Sequence, residues 1–168
     1  LSILKEHDNE INYQNYDEIN TYYNLKYDND ILIYLDAGCS INPNGEKRFN
    51  EYIEILNNSE GGVISFQMPH LEKIWTTKEI FKYFNVEHND KITDSGQIIG
   101  GIRIMKKNKN LINLINLESE TLYNRPLLFT NHYNKNQGSY FKENRHEQSI
   151  FSVIRKMHDP ILINDETY

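Results

Sequence analysis

Two short stretches of the chain carry side chains whose types and spacing suit chemistry. The first is Asp36-Ala37-Gly38-Cys39, which follows the apolar run Ile31-Leu32-Ile33-Tyr34-Leu35. In open α/β sheets ligands bind beyond the carboxyl ends of strands, so an acidic residue at that point is aimed at a crevice. Gly38 lets the backbone turn tightly or approach a ligand. Asp36 there could hold a hard divalent cation, which in turn neutralises a diphosphate. The same four residues also read as an Asx turn that closes the strand.

The second stretch is Phe141-Lys142-Glu143-Asn144-Arg145-His146-Glu147-Gln148-Ser149. Glu147 precedes Ile150, Phe151 and Ile154 by three, four and seven residues, and so shares the inward stripe of a helix. A carboxylate aligned with a buried face must be paired, bound to metal or turned into a cleft. A general base has that placement, and burial can raise its pKa. The alternative is a capping box: Asn144 as N-cap and Glu147 three residues on, in the first turn where an acid suits the helix dipole.

Other patterns fail on spacing. The residue four after His146 is Ile150, so His146-Glu147 is not a zinc-protease helix. Gly96-Gln97-Ile98-Ile99-Gly100-Gly101 lacks the spacing of a dinucleotide fingerprint. Ser40 and Cys39 have no histidine in local reach to activate a nucleophile. The chain contains a single cysteine, which excludes an internal disulfide framework and a multi-cysteine zinc site. With only Asp36 well placed as a ligand, a metal-dependent hydrolase has little support.

The elements that must position these groups are those of an α/β domain. The 168 residues suffice for one domain with a sizeable core. Mean hydropathy is low at -0.70, but twelve Tyr and seven Phe supply bulky apolar surface. A net charge of -6 argues against a nucleic-acid partner, which needs a basic face. No apolar run approaches the ~20 residues of a membrane span. The unbroken run 31–35 predicts a central strand buried on both faces. Phe49, Tyr52, Ile53 and Leu56 mark one helix face. A second strand is predicted over 63–68, a capped helix after Thr77, and a third strand over 97–105 with a bulge at Gly100-Gly101. Lys106-Lys107-Asn108-Lys109 reads as a solvated loop before a helix that starts near Leu111. A short apolar piece at 127–129, a strong helix over 150–157 and a strand at 161–163 complete the pattern. Alternation of strands and helices implies an α/β domain. Residues 1–30 form a polar lead-in with a weak helical stripe, and 31–168 form the domain proper.

At Tyr34-Leu35-Asp36-Ala37-Gly38-Cys39, with Ile41-Asn42 and Gly45, the chain resembles a family of glycosyltransferases of bacterial polysaccharide clusters and large DNA viruses. The resemblance continues through Ile64-Ser65-Phe66-Gln67, Glu72 with Trp75-Thr76 and Gln97 to Gly101. It ends in Arg145-His146-Glu147-Gln148-Ser149-Ile150-Phe151-Ser152 and Asp165-Glu166-Thr167, so that it covers about residues 28–168. It implies a GT-A-like, Rossmann-like fold, a mostly parallel sheet flanked by helices. It implies transfer of a sugar from a nucleotide-sugar donor to a glycan acceptor in the cytoplasm, of a cell or an infected host. Asp36 stands at the position of the Asp-x-Asp motif that binds Mn2+ or Mg2+ and the diphosphate, with Ala37 and Gly38 on the donor. The second carboxylate of that motif is replaced by Gly38, and the Asp-Gln pair on the acceptor side by Glu147-Gln148. Glu147 is then the candidate base, and Gln67, Gln97, Arg145, His146, Gln148 and Asp165 are sugar or phosphate contacts. The family's upstream, nucleotide-binding half has at most a polar remnant here. That leaves a second expectation, a degenerate relative used for carbohydrate binding or assembly.

Overall fold

The computed structural model describes residues 25–167, so the polar lead-in up to residue 24, with its helical stripe, lies outside the described residues. Strand β1 (Ile31–Leu35) leads through a 3-10 turn at Pro43–Gly45 into helix α1 (Glu46–Asn57), then β2 (Val63–Leu71). Three short helices follow, α2 (Glu72–Trp75), α3 (Lys78–Tyr83) and α4 (Asp90–Thr93). Strands β3 (Gly96–Ile98) and β4 (Ile102–Lys106) precede the long helix α5 (Lys109–Asn124). A 3-10 turn at Pro126–Phe129, helix α6 (Glu147–Met157) and β5 (Ile161–Asn164) complete the domain.

β2 is the centre of a mixed sheet flanked by helices. Ile64 to Gln67 pair in parallel with Ile161 to Asn164 of β5. On the other edge of β2, Val63 and Ile64 face β4 and Gln67 and Leu71 face β3, both antiparallel. β1 then pairs antiparallel with β4. The expected mostly parallel sheet is therefore corrected: among the described residues only the β2–β5 pairing is parallel. Parallel neighbours need a long crossover connection. Alternation of strands and helices supplies such connections without saying beside which strand each one returns.

The residues alternate as the pleat requires. Ile64, Phe66 and Ile104 point to one face and pack with Leu56 under α1. Val63 and Met105 point to the other, against Ile80, Leu111, Leu114, Ile115, Ile150, Val153 and Ile154. β1 differs from expectation. It lies beside β4 alone among the described strands, and Ile33 and Leu35 are 41% and 37% exposed. An apolar run reports that a strand is fit for burial on both faces, not that both covers lie within reach.

Lys106 is another correction, because it is buried rather than solvated. Its Nζ donates to the carbonyls of Leu56 (2.8 Å), Asn57 (3.2 Å) and Ser59 (3.3 Å), the open C-terminal end of α1. A cation there satisfies carbonyls that have no partner within the helix. Asn108 caps α5, accepting from Leu111 N at 2.8 Å.

α6 buries a polar stripe as well as an apolar one. Ser149, Ser152 and Lys156 share a face by their spacing of three and four. That face meets Glu72, whose residue is wholly buried. Glu72 Oε2 accepts from Lys156 Nζ at 2.7 Å and from the Ser152 hydroxyl, and Oε1 accepts from Thr76 Oγ1 at 2.6 Å. Gln97 Nε2 on β3 donates to the same Oε1 at 2.9 Å. Burial pushes the Lys156 ammonium below its ordinary range, and Glu72 opposes that shift. Lys156→Met leaves the carboxylate without its cation and is expected to cost about 3–5 kcal/mol in urea unfolding. Adding Glu72→Gln should recover part of the loss; strict additivity of the two changes would show that they do not act as a pair.

Candidate functional site

The site grows from the interruption between β3 and β4. Ile64 and Gln67 are three residues apart on β2, whereas their partners Ile104 and Ile98 are six apart. Ile99 N still donates to Phe66 O of β2 at 2.9 Å, and Gly100-Gly101 then leave the ladder as a bulge, as the paired glycines predict. Its backbone groups are taken up by three elements. Gly101 O accepts from Asp36 N at 2.9 Å, just after β1. Gly100 N donates to Gln148 Oε1 at 2.9 Å, in the first turn of α6. Gly100 O accepts from Arg103 Nε at 3.0 Å. A Cβ on Gly101 would lie 2.5 Å from Asp36 Oδ2, so glycine is what allows the carboxylate to lie against the bulge.

Asp36 is exposed, and its Oδ1 accepts from the Tyr34 hydroxyl at 2.8 Å. The turn after it closes through the backbone, Cys39 N to Asp36 O at 2.8 Å. Ala37 and Gly38 lie in that exposed turn. Gln67 reaches away, donating to Gly96 O at 3.0 Å and so tying β2 to β3.

On the facing side, α6 starts from a tight turn. Gln148 N donates to Arg145 O at 3.1 Å, and His146 between them has φ 54° and ψ -122°. This is the first central position of a type II′ turn, which favours glycine. The strain, of order 1–3 kcal/mol in such regions, is held from both sides. His146 Nε2 lies 3.1 Å from Asn131 Oδ1, and Arg145 N donates to Ser149 Oγ at 3.0 Å. The cap of α6 is thus His146 and not Asn144. Asn144 is buried instead, and its Nδ2 ties the loop to Leu128 O (3.1 Å) and Thr130 O (3.0 Å).

Two adjoining cavities meet at this point. A strongly polar one of about 330 Å3 is lined by Asp36, Arg103, Asn144, Arg145, His146 and Glu147, with Tyr34, Asn131 and the two glycines. A second, of about 500 Å3, is lined by Met68, His70, Trp75, Ile99 and Ile102, and by Gln97, Asp165 and Thr167. Asp36, Gly101, Arg145 and Gln148 belong to both walls. Asp36 and Glu147, more than a hundred residues apart in the chain, thus line one space. Gln97 and Gln148 have largely internal roles. Gln148 Nε2 donates to Gln97 Oε1 at 2.7 Å, and Gln97 Nε2 continues to Glu72, linking the cavity wall to the buried ion pair.

Arg103 is a site residue that sequence reasoning missed. It is buried, with its guanidinium 3.6 Å from the Phe151 ring centroid and 5.3 Å from that of Tyr34. A charge on the inward phase of an apolar strand, between Ile102 and Ile104, was the available signal. The C-terminal wall depends on Glu166. Its Oε1 accepts from Tyr52 OH (2.7 Å) and from Arg48 Nε (2.8 Å) and Nη2 (2.6 Å) on α1. This carries Asp165 and Thr167 to the second cavity, where Asp165 Oδ1 accepts from Thr167 N (3.1 Å) and Oγ1 (2.7 Å).

Among the described residues no group of three or more His, Cys, Asp or Glu side chains could hold a metal by itself, so Asp36, whose Oδ1 accepts from Tyr34, could hold a divalent ion only together with a substrate diphosphate. No helix of the described residues is long and apolar enough to cross a membrane. Comparison of the chain with protein-family models, with curated proteins and with solved structures finds no match.

His146→Gly removes the strain of a side chain at positive φ, and should be about 1–2 kcal/mol more stable than His146→Ala by thermal unfolding. Equal stability of the two variants would mean that the turn relaxes. The Tyr52 hydroxyl and the Arg48 guanidinium hold the Glu166 carboxyl below its ordinary range. Its folded pKa is thus lower than its unfolded one of about 4.3. The contribution is fully present above that unfolded value and is lost as pH falls through the folded value. Hydrogen-exchange protection at residues 165–167, taken relative to the intrinsic rate at each pH, should fall on acidification through that window, and Glu166→Gln should abolish that fall.

Proposed function

We propose that the cleft between Asp36 and the first turn of α6 transfers a sugar from a nucleotide-sugar donor to a glycan acceptor. The observation that carries this reading is the meeting of Asp36 and Glu147 in one polar cavity that shares a wall with a second, more apolar one. Two adjoining cavities suit two substrates brought together, which removes most of the entropic barrier to a bimolecular step. Glu147 takes the proton of the attacking acceptor hydroxyl, the oxygen bonds to the anomeric carbon, and the nucleoside diphosphate leaves with the bonding electron pair. Arg145, on the shared wall, is the cation available to the leaving diphosphate. Asp36, fixed by Tyr34 on the wall that both cavities share, accepts hydrogen bonds from sugar hydroxyls on either side. No step is assigned to a divalent ion. The resemblance through the Asp36, Arg145–Ser152 and Asp165–Thr167 motifs supports the same reaction class.

One observation favours a second reading, carbohydrate binding without transfer. The side-chain amides of Gln97 and Gln148 are engaged inside the protein, which leaves few polar groups at the shared wall for a nucleotide.

The test is thermal unfolding against UDP-, GDP- and CMP-sugars, with and without manganese, joined to an assay for released nucleoside diphosphate. A ligand at a hundredfold excess over its Kd stabilises the fold by about 2.7 kcal/mol. One nucleotide class should raise the midpoint, and Asp36→Asn should reduce the shift. Glu147→Gln should keep the shift and lower turnover by about 10²–10⁴-fold. A shift that requires manganese would restore the ion to Asp36. Absence of any shift from the folded chain would favour the binding reading.

A further inference from the structure

The second cavity has an uneven wall. Its lining combines apolar side chains, Met68, Trp75, Ile99 and Ile102, with the charged Asp36, Arg145 and Asp165. Trp75 is half-buried and firmly placed. Its carbonyl accepts from Ser149 Oγ at 2.6 Å and from Arg145 N at 3.2 Å, so the residue is tied to the first turn of α6. His70 meets the indole edge-on, with centroids 6.1 Å apart and an interplanar angle of 66°. The exposed Lys142 Nζ and Arg145 guanidinium lie over its ring, 5.3 Å and 5.7 Å from the centroid, so a sugar ring stacking on the indole displaces these mobile side chains.

We infer that this cavity is a saccharide subsite, in which Trp75 is the platform for the C–H face of a sugar ring and Asp36 and Asp165 accept hydrogen bonds from its hydroxyl rim. The inference rests on the reading that the cleft handles sugars, and it assigns the acceptor to the Trp75 side. A pyranose has one apolar face and a polar edge, which matches an indole and two carboxylates lining one cavity. Charged acceptors make the stronger hydrogen bonds to hydroxyls, and they leave the ring's orientation to the platform. A nucleobase fits less well. Its edge is read by groups that both donate and accept, and the two amides at this wall are already engaged. Gln148 is bonded to Gln97 and to Gly100 N, and Gln97 to Glu72. The only ring stacked near Trp75 among the described residues is His70, which stands across the indole and does not form a parallel sandwich.

The chain contains one tryptophan, so selectively excited indole fluorescence reports on this cavity alone. The 168-residue chain is titrated with glucose, galactose, N-acetylglucosamine and their β-linked disaccharides, and separately with uridine, guanosine and cytidine. A saturable change with a saccharide and none with the nucleosides is the expected result. By ligand-observed NMR, Trp75→Phe should keep most of the saccharide binding, and Trp75→Ala should weaken it about tenfold. Circular dichroism checks that each variant is folded. A response to nucleosides without one to saccharides overturns the assignment, as does no response to either. The outcome is separable from that of the transfer reaction. Saccharide binding without donor turnover leaves the subsite standing and removes the enzyme, whereas turnover with a silent indole keeps the enzyme and removes the subsite.

Discussion

The Glu72–Lys156 pair is the constraint on which the site depends. A buried carboxylate is tolerable only when its lone pairs are satisfied, and here four side chains from three elements converge on it: Thr76, Gln97, Ser152 and Lys156. Such a group cannot slide. It sets the rotation and the height of α6 against β3, and Ser152 Oγ adds a bond from Ile98 N at 2.8 Å. Gln97 passes the constraint to Gln148, and Gln148 passes it to Gly100 N. The cavity wall is thus the far end of a polar network whose near end is wholly buried.

The Gly100-Gly101 bulge is the complementary device. A regular strand from Gly96 to Lys106 would have presented its carbonyls to neighbouring strands. The two glycines turn three backbone groups outward, Gly100 N, Gly100 O and Gly101 O, which Gln148, Arg103 and Asp36 N take up. The same bulge brings the end of β1 and the start of α6 to one place. Precision at the site therefore comes from backbone groups held by side chains, while the strained His146 turn aims the first helical residues. The tail from Asp165 to Thr167 is held from outside by α1 through Glu166.

Much of the element order was legible in the chain. The bulge, the α1 stripe and the short strand after α6 all show in spacing and glycine placement. Asp36 and Glu147 stood out because an acid next to an apolar run is informative in either a strand or a helix. Other residues were misread or passed over for reasons that are physical rather than statistical. Ser149, Ser152 and Lys156 have the composition of a wet helix face, and only a buried partner makes them a dry one. Lys106 looked solvated because nothing local reveals that the end of α1 lies above it. Arg103 was overlooked because pattern reading attended to its apolar neighbours.

By itself the sequence determined the local structure: which segments extend, which coil, where the strand must break, and which acids have no apolar excuse for their position. Local sterics and the period of apolar residues suffice for that. Tertiary structure alone decided that among the described strands β1 lies beside β4 only, that the sheet is mixed, and that Gln97 and Gln148 serve each other. Those outcomes depend on contacts between residues tens of positions apart. Their free energy comes from burying and satisfying polar groups jointly, and no single segment carries it.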